Sequence, residues 1–295
     1  MKTSRRADIS LALVAFVWGA TFVLVKSALA DVSTLLFLAL RFSLAGVALA
    51  VGYHRRLSGV VPTRASHLKG GMAAGGCLFG GYMCQTFGLR LTTPSKSAFL
   101  TGLAIVLVPL LGAVFYRTVP RPREAAGVAA AAIGVGLMTL DGPVLAVNPG
   151  DLLTIAGAFF FALHILVLGH YAPRDGFERL SVMQILTCAG LALSTWWWME
   201  DAFLAWSFTL LAALAVTGLL ATAAAFTIQT WAQQHTSPTH TALIFALEPV
   251  FAGITSFAVT GEVLSVRQAA GAVMILAGIL LVELKPAGAT GHPNK

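Results

Sequence analysis

Ten apolar runs, each about 20 residues long, alternate with short polar junctions along the chain. They cover approximately residues 8–30, 32–53, 68–90, 95–116, 123–140, 150–172, 179–199, 206–233, 237–260 and 265–284. A run of that length crosses a bilayer as a helix, and a helix satisfies its own backbone hydrogen bonds where there is no water. The pattern predicts an all-α polytopic membrane protein with ten transmembrane helices. The junctions are short, so neighbouring helices are expected to pack antiparallel. None of them is long enough to hold a soluble domain.

The pattern also repeats. QTFGLRLTTPSKSAFLTGLAIVLVP, from Gln85, aligns without gaps on QTWAQQHTSPTHTALIFALEPVFAG, from Gln229. Gln85 falls on Gln229, Pro94 on Pro238 and Ala98 on Ala242. REAAGVAAAAIG from Arg123 matches RQAAGAVMILAG from Arg267, and Asp8 to Phe16 echoes Asp151 to Phe159. Each half holds five helices, an odd number, so the second copy must insert upside down. The expected division is residues 1–145 for the first repeat, 146–286 for the second and 287–295 for a short cytoplasmic tail. Inverted repeats are the architecture of many secondary transporters, with the substrate site near the midplane where the repeats meet.

Composition agrees with the pattern. The chain is 57% hydrophobic and 11% charged, against roughly 25% charged in soluble domains. Its net charge of +7 is no nucleic-acid footprint, because most of the Lys and Arg lie in short junctions. Counted by junction, they collect on one side (Lys2, Arg5, Arg6, Arg55, Arg56, Arg64, Lys69, Arg117, Arg121, Arg123, Arg174, Arg179, Lys285 and Lys295), against Arg90, Lys96 and Arg267 on the other. The acids Asp31, Asp141, Asp151, Glu200, Asp201 and Glu262 collect on the other. The positive-inside rule then puts both termini in the cytoplasm. Ala28-Leu29-Ala30 resembles a signal-peptidase site, but the preceding run is too long for an h-region and carries Trp18 and Lys26, so a retained first helix is expected.

Polar groups inside apolar runs are the candidates for chemistry. Glu248 lies mid-run, followed by Pro249, which loosens the helix beside it. A carboxylate at that depth is costly and usually functional. It is a candidate for a cationic group or a coupling proton, or else a neutral hydrogen-bonding group that fixes packing. Arg41 lies at similar depth in the second run, and three readings stay open for it: an ion pair with Glu248, contact with a substrate carboxylate, or snorkelling. Trp18 and Thr21 sit mid-depth in the first run, and the repeat places Thr21 opposite His164, a candidate proton relay or a satisfied core histidine. Gln85 and Gln229 either line alternating gates or cap helix contacts. Phe99 is included because it opens the fourth run just after Pro94. Lys26 is expected to snorkel, His170 to lie at an interface, and Trp196-Trp197-Trp198 to belong to an aromatic belt.

Other classes lack their signatures. There is no H-E-x-x-H, G-x-S-x-G or P-loop, and His164 and His170 fall on different helix faces, against a shared metal. Neither cofactor nor metal is expected. Cys77, Cys84 and Cys188 lie in apolar runs without metal-ligand spacing and read as small packing residues. Glycines in small-xxx-small pairs (Gly71 and Gly75, Gly76 and Gly80) and the matched Gly127, Gly134, Gly271 and Gly278 mark close helix contacts. They serve either packing within the chain or a homodimer seam along the fifth and tenth helices.

WGATFVLVKSAL in the first run, the mid-helix Arg41, SAFLTGLAIVLVPLLGAV and LEPVFAGITSFAVTGEVLSVRQAAGAVMILAGILL resemble the EamA branch of the drug/metabolite transporter superfamily. The resemblance covers essentially the whole chain. It implies an inner-membrane secondary transporter, usually an exporter of amino acids, related metabolites or toxic compounds. The family's Gly-Glu at the repeat's end is present as Gly261-Glu262, whereas the first half reads Arg117-Thr118. The expected substrate cavity gathers Trp18, Thr21, Arg41, Gln85, Phe99, His164, Gln229 and Glu248. A drug exporter, or a channel or scramblase of similar architecture, is the alternative.

Overall fold

The computed structural model describes residues 2–57, 65–92, 94–117, 121–139, 148–260 and 265–283. Among them, ten membrane-crossing segments form two sets of five. The first set is α1 (Lys2–Ala28), α2 (Thr34–Leu57), α3 (Ala65–Leu91), α4 (Pro94–Gly102 and Ala104–Tyr116) and α5 (Pro122–Thr139). The second is α6 (Pro149–Asp175), α7 (Phe177–Met199), α8 (Phe208–Ala232), α9 (Pro238–Phe245 and Glu248–Thr260) and α10 (Val266–Glu283). The expected glycine-glutamate pair at Gly261-Glu262 lies outside the described residues.

Local chemistry sets the helix ends. Asn148 and Asp151 form a capping box at the start of α6, each side chain accepting the other's backbone N–H over 2.9 Å, with Pro149 in the first turn. That arrangement satisfies donors a helix N-terminus otherwise leaves bare. Ser207 and Ser237 cap α8 and α9. Between α6 and α7 there is a single residue, Gly176, at φ +77°, a backbone that glycine adopts without a side-chain clash.

Two expected continuous helices are interrupted. α4 breaks at Leu103 and α9 at Ala246-Leu247, and the repeat alignment places Leu103 on Leu247. Both halves therefore break at the same point, where the chain stays right-handed helical but tightens, with Leu103 N donating to Leu100 O (3.3 Å) and Leu247 N to Ile244 O (3.0 Å). α8 departs differently. Its middle, Val216–Ala224, is a π-helix, whereas the matching stretch of α3 is regular α-helix.

The halves interlock. α3 lies between α6 and α7, and a Cβ on Gly75 would sit 2.5 Å from the Gln184 carbonyl. α1 packs on α8 and α9, while α5 packs on α10. In that last pair a Cβ on Gly134 would come within 2.5 Å of the Gly271 carbonyl, and one on Gly278 within 2.6 Å of the Gly127 carbonyl. These glycine faces, one reading of which was a dimer seam, are filled by one another inside the chain.

Each end of the bundle is tied across the repeats. Where α1 ends, Ser33 N donates to Phe203 O (3.0 Å) and Ala205 N to Asp31 O (2.7 Å). Glu200 Oε1 accepts the Leu35 and Leu36 N–H groups at the start of α2 (2.7 and 2.9 Å), a favourable place for a negative charge. Lys26 does not simply snorkel. Within the first repeat, its Nζ donates to the carbonyls of Leu89, Arg90 and Thr92 at the end of α3 (2.5, 3.1 and 3.1 Å). At the opposite end His240 Nε2 meets Asp8 Oδ1 across the repeats at 3.2 Å, while within the second repeat Gln233 and Gln234 donate to Ile165 O and Ala172 O (both 2.9 Å).

Candidate functional site

Between the repeats lies a cavity of about 870 Å³, open space at its mouth included. Trp18, Thr21, Arg41, Gln85, His164, Gln229 and Glu248 all line it. The structure brings these seven residues, from six helices, to the wall of one cavity. Phe99 belongs to α4, and its side chain lies outside the described residues. Further lining residues were missed: Tyr82, Thr101, Phe161, Phe226 and Phe245. The repeat alignment contains the signal that finds most of them. It pairs Trp18 with Phe161, Phe22 with Ile165, Tyr82 with Phe226 and Thr101 with Phe245, and both members of every pair line the cavity. The same holds for Thr21 with His164 and Gln85 with Gln229, so the cavity straddles the pseudo-two-fold axis.

One wall is aromatic. The Trp18 ring lies 5.2 Å from that of Phe226 and 4.9 Å from that of Phe245. Tyr82 meets Phe161 edge-on at 5.2 Å, and Phe226 at 6.1 Å. Such tilted and T-shaped contacts suit the ring quadrupoles. The indole N–H of Trp18 donates to the Ala221 carbonyl over 2.9 Å, inside the π-helix. There Ala225 N–H reaches back five residues to Leu220 O, passing over Ala221, whose carbonyl takes the indole. π-Helical segments often mark functional positions.

Arg41 is held, but not by Glu248. Its Nε donates to Thr222 Oγ1 over 2.8 Å and its Nη2 to the Tyr82 hydroxyl over 3.1 Å. The guanidinium carbon lies 4.4 Å from the Tyr82 ring centroid and 5.6 Å from that of Phe42, close enough for cation–π attraction. The ion pair that the sequence suggested is absent among the described residues. Both groups nevertheless face the same cavity, each with hydrogen-bonding capacity to spare. Arg41 commits two N–H groups to protein acceptors, and the Glu248 carboxylate has no hydrogen-bond or ion-pair partner among the described residues. Glu248 opens the second half of α9, and the first turn of a helix favours an acid. Its backbone is crossed closely by α1, since a Cβ on Gly19 would lie 2.5 Å from Glu248 O.

The amides and the histidine have separate tasks. His164 Nε2 meets Gln184 Oε1 at 2.7 Å, and Gln184 Nε2 donates to Thr230 Oγ1 over 2.9 Å. His164 is only 1% exposed, so it joins α6, α7 and α8 through a buried polar chain. Gln85 donates to Thr101 Oγ1 (2.8 Å) and Gln229 to Gln233 Oε1 (3.1 Å). Gln229 Oε1 is buried without a partner among the described residues, an acceptor at the cavity wall. His170 lies away from the cavity beside Arg174, and Trp197 and Trp198 are exposed at the end of α7.

A ten-span bundle of inverted repeats, each broken at mid-depth around a polar cavity, is the construction of a membrane transport protein. The comparisons agree. The chain belongs to the EamA-like transporter family, which matches residues 5–140 and 148–284, once per repeat. It is 33% identical over 283 residues to a protein of Archaeoglobus fulgidus named "Uncharacterized transporter", covering 95% of this chain and 86% of that one. It is 29% identical over 216 residues to the "Uncharacterized transporter YyaM" of Bacillus subtilis, 65% of each chain. A crystal structure superposes with a TM-score of 0.77 at 19% identity, over 94% of this chain and 96% of that one, and shows the same fold.

Proposed function

We propose that the protein is a secondary transporter that exports amino acids with large apolar or aromatic side chains, by alternating access. The observation that carries this reading is the presence of Arg41 and Glu248 in one cavity without pairing to each other. Two opposite charges, each with free valences, fit the two ends of a zwitterion, and the aromatic wall fits its side chain. The ties across the repeats are the contacts that would open in turn, Asp8 with His240 at one end and Glu200 with the start of α2 at the other. Glu248 is also the proposed site of a coupling proton, which it would exchange with the substrate ammonium. The protein is placed in the plasma (inner) membrane with both termini cytoplasmic, on the strength of its junction charges.

A second reading, export of apolar cationic drugs, is favoured by the aromatic rings near Glu248, since aromatic faces attract organic cations. Counterflow in proteoliposomes tests both. Liposomes loaded with unlabelled L-phenylalanine should transiently accumulate labelled L-phenylalanine, with saturation, and loading with tetraphenylphosphonium should not drive it. Accumulation driven by the phosphonium alone would favour the drug reading. Flux that never saturates and shows no counterflow would indicate a channel.

A further inference from the structure

Arg41 reaches the cavity from α2, yet the group that aims it belongs to the other repeat. Thr222 lies in the π-helical stretch of α8, is fully buried, and accepts the Arg41 Nε–H over 2.8 Å. At the matching position of the first repeat the sequence has Leu78, a core residue with no polar atom in its side chain. Thr222 is thus a polar departure from the repeat, in an element whose backbone also departs from it. Its hydroxyl and the Tyr82 hydroxyl hold two edges of the guanidinium, leaving the remaining N–H groups without a protein acceptor among the described residues.

We propose that Thr222 is a positioning residue that sets the selectivity for substrates bearing a carboxylate. This rests on the zwitterion reading of the cavity. The planar guanidinium forms its strongest contacts in a bidentate geometry with a carboxylate, and that geometry depends on the rotation of the guanidinium plane. Hydrogen bonding at Nε, together with stacking on Tyr82, fixes that rotation before substrate arrives. Without the acceptor, the charge stays in the cavity but its fork is no longer aimed. The loss therefore falls on the carboxylate end of the ligand and spares the ammonium end, which Glu248 receives.

The test compares two probes that differ only in the carboxylate, L-phenylalanine and phenethylamine, by calorimetric binding to the purified protein. Wild type should prefer L-phenylalanine by about tenfold or more, the value of one charge-assisted contact. Thr222→Val, nearly the same shape, should bring the two probes within about twofold by weakening L-phenylalanine alone, and Thr222→Ser should restore the preference. General damage would weaken both probes together. Thr222→Cys, a poorer acceptor of similar size, gives a second measurement should the valine variant fold badly, with an intermediate preference expected. A wild type that favours L-phenylalanine while Thr222→Val keeps the full preference overturns the role of Thr222 alone. A wild type with no preference overturns the zwitterion reading and this role with it.

Discussion

The indole N–H of Trp18, on α1, donates to the carbonyl of Ala221, on α8, across the boundary between the repeats. That bond joins the aromatic wall of the cavity to the π-helix, and it separates two jobs of one side chain. Trp18→Phe keeps a ring against Phe226 and Phe245 but removes the donor, and should cost about 1 kcal/mol of stability. Trp18→Ala removes the ring as well and should cost about 3–5 kcal/mol. If Trp18 also contacts substrate, L-phenylalanine will no longer raise the melting temperature of the alanine variant. A ligand-induced rise equal to that of wild type would remove Trp18 from the binding wall.

Packing between α5 and α10 leaves no room for a side chain at Gly134 or Gly278. Gly278→Ala should force the helices apart and destabilise by about 1–3 kcal/mol, read as a lower melting temperature in detergent. Its size-exclusion mass should equal that of wild type. A shift from dimer to monomer at unchanged stability would instead return these glycines to a subunit interface.

The proposed orientation has its own check. Asp201 and His235 are exposed at opposite ends of the bundle. With Cys77, Cys84 and Cys188 replaced, a membrane-impermeant maleimide added to intact cells should label Asp201→Cys and spare His235→Cys. The reverse pattern would invert the topology.

How much of this was legible in the sequence depends on chemical contrast. A Glu, an Arg or a His inside an apolar run stands out because lipid penalises it, so Glu248, Arg41 and His164 were all singled out, and all three line the cavity. The ten spans were readable for the same reason, as were the repeats. Tyr82 and Thr222 were missed because a hydroxyl in a membrane helix is ordinary and bonds locally as readily as across helices. Their roles exist only once α2, α3 and α8 converge on Arg41. The suggested pairing of Arg41 with Glu248 rested on shared depth, and depth does not say which way two side chains turn. The π-helix was invisible because VTGLLATAA is good helix in either register, while the break at Leu247 was foreshadowed by Pro249 and the one at Leu103 only by the preceding Gly102. Glycine faces show where helices approach closely, but not whether the neighbour belongs to the same chain.

Equilibrium binding to Glu248→Gln tests the central role of the cavity most directly. The substitution keeps the shape of the side chain and removes its charge. A charge-assisted hydrogen bond contributes about 1.5–3 kcal/mol, so L-phenylalanine should bind this variant about 10- to 100-fold more weakly than wild type. Binding of 3-phenylpropionate, which has the ring and the carboxylate but no ammonium, should not weaken. A Glu248→Gln protein that binds L-phenylalanine with the wild-type Kd would contradict the assignment of the cavity to the substrate's ammonium.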